Sequence, residues 1–319
     1  MKLIDNFGRV IDYLRISVTD RCNLRCVYCM PKEGVENIPY NEILRYEEIL
    51  EIVDVAISLG IKKIRITGGE PLVRKGLIPF LCELSQRKVD FSITTNGILL
   101  GDFAKDLKKV RVKRINVSLD TLSEKKFFQI TRGGNIKKVI NGILRAKEVG
   151  IEPIKINTVV LTDANEQEIK NFVEFAKTNG LVLRFIEHIP FVNNQKTNFA
   201  QFEQMFKSKY KPSAVNIEGF GPGRHYRING AIIGFISSIS RPFCKKCNRL
   251  RLTANGKLLP CLGYPTEIDL KKAIRRVGKK KSKEIKNLFL DAVSKKPEKH
   301  LFNQPKDCMN IKSMISIGG

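Results

Sequence analysis

Six strand-like runs, separated by helical patterns, fill the first two thirds of this chain. They begin near Asp12 (DYLRISVT), Ile61 (IKKIRIT), Val89 (VDFSITT), Val112 (VKRINVSL), Pro153 (PIKINTVVL) and Leu181 (LVLRFIEH). Helical periodicity is clearest over 46–59, where Ile49, Leu50, Val53, Ala56 and Ile57 share one face. Further helices are expected over 76–86, 135–148 and 166–178. Alternating strands and helices mean a parallel sheet with right-handed crossovers. Six units fall short of the eight that close a full barrel, so the expected class is α/β, a TIM-like partial (βα)6 barrel.

Chemistry in such a fold gathers at the carboxyl ends of the strands. The second run ends in Thr67-Gly68-Gly69-Glu70-Pro71, the third in Thr94-Thr95-Asn96-Gly97 and the fourth in Ser118-Leu119-Asp120. The fifth carries Lys155 and Asn157, and the sixth ends in Glu187-His188. Ordinary turn chemistry explains one or two of these. Adjacent glycines also let a backbone approach a ligand closely.

The first run leads into TDRCNLRCVYCMP, where Cys22, Cys26 and Cys29 form CxxxCxxC. Three thiolates can hold a four-iron cluster and leave one iron open to a small molecule. A helix stripe would also bring these spacings together. Against it, Pro31 closes the segment, and Leu24, Val27 and Met30 fit no single apolar stripe. A second group, Cys244 and Cys247 in RPFCKKCNRLRL with Cys261 in GKLLPCLG, again offers three thiolates. A zinc ribbon needs a fourth ligand, for which Cys308 is available; a second open cluster needs none. Cys82, in LIPFLCEL, is expected to be a buried core cysteine.

Composition bounds the partners. The chain has 319 residues and a formal net charge of +25, so anionic partners are favoured. There is no tryptophan and no recognisable nucleic-acid-binding signature, so no nucleic-acid partner is expected. Basic residues concentrate over 271–286, which reads as a solvated helix pair with a basic turn. No run of eighteen apolar residues occurs, so no membrane span is expected. The opening residues lack the apolar core of a signal peptide. Clustered cysteines argue against a secreted disulfide framework, and the cytoplasm is the expected compartment.

After Gly219-Phe220-Gly221-Pro222-Gly223 the pattern changes, and a division into 1–223 and 224–319 is expected. HYRING and AIIGFISSIS suggest a hairpin across Gly230. The second cysteine group, a strand RLRLTANGKL and two basic helices follow, making an α+β extension. Arg249 and Arg251 alternate on that strand and so project to one side, either into a phosphate site or as a surface pair. Arg15 lies on the strand feeding the cysteine loop, and a charge pointing into a barrel needs an anionic partner.

The segment DYLRISVTDRCNLRCVYCMP resembles the signature of radical S-adenosylmethionine (SAM) enzymes. RITGGEPLVR, TTNG, RINVSLD, RFIEH, FCKKCNRLRLT and the final Gly318-Gly319 follow in the order of one family within that class, the GTP 3′,8-cyclases of molybdenum cofactor biosynthesis. The resemblance implies that Cys22, Cys26 and Cys29 hold one [4Fe-4S] cluster and that Cys244, Cys247 and Cys261 hold a second. It implies SAM contacts from Tyr28, Gly69, Ser118 and Ile189, the last in a position where relatives can carry Met. It implies GTP contacts from Arg15, Arg65, Thr94, Lys155, Arg249, Leu250 and Arg251, with Arg15, Arg249 and Arg251 also serving catalysis, and entry of the Gly-Gly tail into the site. The implied reaction begins with reductive SAM cleavage and hydrogen abstraction from the 3′ carbon of GTP, and ends in ring closure onto carbon 8. Implied partners are a low-potential electron donor and the cyclic pyranopterin monophosphate synthase that receives the product, with a homodimer as the suggested assembly. The competing readings are a radical SAM peptide-modifying enzyme with an auxiliary cluster and a zinc-stabilised RNA-binding protein.

Overall fold

Alternation of apolar and polar residues sorts one continuous sheet into two faces. The computed structural model describes residues 2–161, 166–190, 197–216, 221–276, 278, 280–302 and 314–315. Strands β1 (Tyr13–Ser17), β2 (Lys63–Thr67), β3 (Asp90–Thr95), β4 (Ile115–Ser118), β5 (Ile154–Val160) and β6 (Val182–Glu187) pair in parallel, in sequence order. Between them run α1 (Tyr46–Ser58), α2 (Leu77–Ser85), α3 (Leu100–Lys109), α4 (Glu124–Thr131), α5 (Ile136–Glu148) and α6 (Glu166–Asn179). This is the expected partial barrel of α/β class.

One sheet face is aliphatic. Leu14, Ile16, Ile64, Ile66, Phe91, Ile93, Ile115, Val117, Ile156 and Leu183 are all buried there in the main core. The helices cover it with matching stripes. Ile49, Ile52, Val53 and Ala56 are the fully buried positions of α1, while the expected Leu50 and Ile57 are only partly buried. In α2 the inward positions are Leu77, Phe80, Leu81 and Leu84, at helical spacing. Cys82 falls between them and is exposed, which corrects its expected place in the core. Helices α3 and α4 were not singled out from the sequence, because α3 buries only Leu100, Ala104 and Leu107, and α4 only Phe127 and Thr131.

The chain after residue 223 extends both edges of the same sheet. Helix α7 (Phe199–Tyr210) and strand β7 (Ser213–Val215) lead to the hairpin of β8 (Arg224–Ile228) and β9 (Ala231–Ile236). Its turn, Asn229-Gly230, has φ of 46° and 89°, the positive values a two-residue hairpin loop requires. Strand β9 runs parallel to β6. On the far edge β10 (Arg249–Leu252) runs parallel to β1, followed by β11 (Lys257–Leu259) and β12 (Ile268–Asp269), each antiparallel to its predecessor. The segment RLRLTANGKL is therefore two strands with a turn at 253–256. The sheet order is β12-β11-β10-β1-β2-β3-β4-β5-β6-β9-β8-β7.

Helices α8 (Lys271–Ile274) and α9 (Lys281–Ser294) are the expected basic pair. Four of the basic residues in and between them form ion pairs. Arg275 binds Glu48 at 2.9 Å, Lys281 binds Glu51 at 2.5 Å, Arg276 binds Glu284 at 2.8 Å, and Lys271 pairs with Glu42. Among the described residues no helix is long and apolar enough to cross a membrane.

Candidate active site

The concave sheet face is polar and strongly basic. Strand register lines up Arg251, Arg15, Arg65 and Ser92 across β10, β1, β2 and β3. Thr94, Asn116 and Lys155 align across β3, β4 and β5. Ser118, Asn157, Arg184, Gly234 and His225 align across β4, β5, β6, β9 and β8. Side chains alternate along strands, so these residues share one interior. Gly234 is required there, since a Cβ would lie 2.9 Å from the His225 ring and 3.1 Å from the Arg184 side chain.

Crowded cations perturb one another. Burial, then Arg251, pulls the Arg15 guanidinium well below its usual range. Burial and Arg184 bring Lys155 down to about 7. Burial, then Arg65, brings Arg184 to about 9; burial, then Arg249, brings Arg251 to about 10. His225 falls to about 4, from burial and then Arg184 and Lys155. Burial alone would raise Tyr13, but Arg65, Arg15 and Arg249 outweigh it and bring the phenol to about 8. Its hydroxyl accepts from Arg65 Nε at 2.9 Å. Arg249 lies over the Tyr13 and Phe243 rings. Arg65 Nη1, Arg249 Nε, Asn116 Oδ1 and Asn157 Oδ1 are buried without a hydrogen-bond partner among the described residues. Buried polar groups are normally hydrogen-bonded, so these four call for a partner. The interior is built to take a polyanion.

The N-terminal cysteines lie at the carboxyl end of β1. The segment from 19 to 21 hydrogen-bonds the glycine pair after β2: Gly69 N donates to Thr19 O at 2.7 Å and Glu70 N to Arg21 O at 2.8 Å. A Cβ on Gly69 would lie 2.4 Å from Arg21 O, so the close approach in this structure is to the cysteine loop itself. Glu70 turns back into the protein and accepts from Asn96 N at 2.6 Å, Thr95 Oγ1 at 2.8 Å and Leu72 N at 3.0 Å. Cys22 Sγ receives Leu24 N at 3.4 Å and Asn96 Nδ2 at 3.7 Å. Burial pushes the Cys22 thiol to about 11 and Cys29 to about 12, and drives Cys26 well above the usual thiol range. Such thiols must give up their protons to bind a metal. Tyr28 spans to Asp120, and the backbone N–H of Met314 reaches Cys29 O at 3.2 Å.

The C-terminal cysteines lie at the opposite end. Cys244 and Cys247 close a tight turn, with Cys247 N donating to Cys244 O at 3.1 Å, just before β10. Cys261 follows β11, and the antiparallel register of the two strands returns it to the start of β10. Since β10 parallels β1, this triad sits at the amino end of β1. Burial would raise the Cys247 thiol, but Lys296 and Arg249 outweigh it and bring it below the ordinary value.

Both triads suit iron–sulfur clusters. Each triad offers three thiolates, the ligand number of a four-iron cluster with one open iron. In a four-iron cluster each cysteine binds its own iron, so separated sulfurs are required. Cys308, the proposed fourth zinc ligand, and Gly318-Gly319 lie outside the described residues.

Among the other expected contacts, Arg15, Arg65, Thr94, Lys155, Arg249 and Arg251 come together in the interior. Ser118 and Ile189 lie at carboxyl ends of β4 and β6. Leu250 does not join them: its side chain is fully buried in the aliphatic core, next to Leu14 in register. Arg184, Tyr13, Asn116 and His225 were missed, whereas Asn157 had been noted on the fifth strand. Arg184 carried a signal, being a lone charge between Leu183 and Phe185 in an apolar strand.

A parallel partial barrel with a three-cysteine loop after its first strand defines a radical SAM enzyme. The Radical SAM superfamily model matches residues 16–176, and the Molybdenum Cofactor Synthesis C model matches residues 181–302. A GTP 3′,8-cyclase from Petrotoga mobilis is 44% identical over 99% of this chain and 100% of its own length. One from Thermodesulfovibrio yellowstonii is 44% identical over 99% of each chain. The chain belongs to the GTP 3′,8-cyclase family, and with it to the enzymes that use a [4Fe-4S] cluster and SAM. The crystal structure of Streptococcus suis SuiB bound to S-adenosylmethionine shares the fold, with a TM-score of 0.64 and 16% identity over 91% of this chain and 66% of SuiB.

Proposed function

We propose that this chain converts GTP to (8S)-3′,8-cyclo-7,8-dihydro-GTP, the first step of molybdenum cofactor biosynthesis. The observation that carries the reading is the placement of two cysteine triads at opposite ends of the β1/β10 pair, with Arg251, Arg15 and Arg65 in register between them. Strand β1 has five residues, about 16 Å at ~3.3 Å each, enough to lay a nucleoside triphosphate between the two ends.

In this reading Cys22, Cys26 and Cys29 hold the cluster that works on SAM, and Tyr28, Gly69, Ser118 and the backbone at Ile189 form the SAM side of the cavity. Cys244, Cys247 and Cys261 would hold a second [4Fe-4S] cluster, their three thiolates leaving one iron for the substrate. When bound, the first cluster and SAM supply a 5′-deoxyadenosyl radical able to take hydrogen from the 3′ carbon of the ribose. The protein's own residues bind, orient and exclude water. Arg15, Arg65, Arg184, Arg249, Arg251 and Lys155 neutralise the triphosphate, arginine being suited to bidentate phosphate binding. Thr94 and Asn116 offer polar contacts to the sugar. Fixing the ribose between two anchored ends sets the 3′ carbon against carbon 8, the orientation term of catalysis. Residues 1–223 carry the SAM half, and residues 224–319 add strands at both sides of the barrel sheet and bring the second triad. Electrons come from a low-potential donor, and the product passes to cyclic pyranopterin monophosphate synthase.

The test is anaerobic reconstitution with iron and sulfide, followed by SAM, a reductant and GTP deuterated at the 3′ carbon. Deuterium in 5′-deoxyadenosine together with cyclised product supports the reading. Deuterium-free 5′-deoxyadenosine with intact GTP overturns it.

A further inference from the structure

Two lysines are buried among the described residues, Lys155 at 2% exposure and Lys296 at 3%. Lys155 faces the anion-binding interior. Lys296, two residues beyond α9, faces the C-terminal cysteines. Its ammonium donates to Arg249 O at 2.8 Å and to Pro260 O at 2.5 Å. These two carbonyls take two of the ammonium's three N–H bonds. The two carbonyls belong to the residue two places after Cys247 and the residue just before Cys261. Arg9 completes the arrangement. Held by Asp5 at 2.5 Å, it donates to Cys244 O at 2.8 Å and to Pro297 O at 2.7 Å, next to Lys296. All three cysteine segments are thus tied to two buried cations.

Arg9 has a carboxylate against it. The hydrogen-bonded partners of Lys296 are two carbonyls, and its favourable charge partners are Cys247 and Cys261. A buried cation is costly unless a negative charge compensates it. Cysteine thiolates and the cluster they would carry are the negative charge within reach. Groups that hydrogen-bond a cluster's sulfurs and fix its ligands set its potential.

We propose that Lys296 is the positioning residue of the C-terminal cluster, locking Cys247 and Cys261 in place while its ammonium stabilises the cluster after it takes up one electron. The inference rests on the second-cluster reading above.

It is tested in the full chain carrying Cys22→Ala, Cys26→Ala and Cys29→Ala, so that iron and paramagnetic signal report the second site alone. Lys296→Gln, which keeps a donor without charge, Lys296→Met and Lys296→Arg are compared with Lys295→Gln at the exposed neighbour. The readouts are iron content, circular dichroism and a redox titration followed by electron paramagnetic resonance. Lys296→Gln and Lys296→Met are expected to disfavour reduction about tenfold, a fall of about 59 mV for one electron. Lys296→Arg should recover most of it, and Lys295→Gln should change nothing. Loss of iron from the folded Gln and Met variants, with iron retained by Arg, also supports the positioning role. An unchanged potential at full iron content overturns the inference alone. Unfolding of all three variants makes Lys296 a structural clip and also overturns it. Absence of iron with Lys296 intact overturns the second-cluster reading, and this inference with it.

Discussion

The hydroxyl of Tyr28 donates to Asp120 Oδ2 at 2.7 Å, joining the N-terminal cysteine loop to the carboxyl end of β4. Asp120 also accepts from Val159 N at 2.8 Å. Desolvation still pushes its carboxyl up to about 6, against the lowering effect of both donors.

Tyr28→Phe removes one donor from this carboxylate and should cost about 1–3 kcal/mol of stability. A carboxyl raised above its unfolded value stabilises the fold at low pH, and that contribution is lost as pH rises through the folded value. The variant raises Asp120 further, so its deficit should be larger at pH 7.5 than at pH 4.5. Urea unfolding of the metal-free protein at the two pH values checks this; an equal deficit at both would refute the coupling.

Gly69→Ala should disrupt the N-terminal site. The new Cβ meets Arg21 O at 2.4 Å and Asp20 O at 2.8 Å, both backbone atoms that cannot swing away. The expected result is loss of iron from the N-terminal triad and of SAM binding, with the C-terminal triad still loading. Iron analysis with SAM binding by equilibrium dialysis decides; normal loading of both sites would show that the loop gives way.

Arg184→Ala should weaken GTP binding by about 10- to 100-fold, the effect of losing a charge-assisted contact of roughly 1.5–3 kcal/mol. Arg251→Ala should fall in the same range. Arg227, exposed on β8, serves as the control, and its alanine variant should bind GTP within about twofold of wild type. Calorimetric titration of GTP into each variant tests the ranking.

Lys155 stands at about 7 in the ligand-free protein. Its folded value lies below its unfolded one, so between about 7 and about 10.5 the unfolded chain holds more protons. Ligand-free stability should therefore rise with pH across that window. A bound triphosphate reverses the local charge and draws a proton onto Lys155. GTP affinity should consequently fall as pH rises from 7 to 9. Titration at pH 8 in buffers of different ionisation enthalpy should reveal proton uptake, and Lys155→Arg should abolish most of it. Buffer-independent enthalpies in the wild type would contradict this assignment.

Local pattern carried much of the site. The βα rhythm placed all six parallel strands within a few residues of their observed limits, because two-residue alternation and flanking turn residues are local properties. The spacing of Arg249 and Arg251 put both on one side of a strand for the same reason. Leu250 between them necessarily faced the other way, into the aliphatic core. Cys82 shows the limit of composition: its neighbours are apolar, but its helical phase is outward.

By itself the sequence determined the parallel barrel, the two cysteine triads and the identity of the strand-borne arginines. Only the tertiary structure decided which of these meet. Arg15 and Arg251 become neighbours because β10 pairs with β1, over 200 residues away in the chain. That pairing also sets the two triads at opposite ends of one strand pair. Lys296 is indistinguishable in sequence from exposed Lys295, yet one is buried against the carbonyls of Arg249 and Pro260 and the other is exposed. Such differences arise from long-range packing and desolvation, which depend on what the rest of the fold brings alongside a residue and leave no mark on its sequence neighbours.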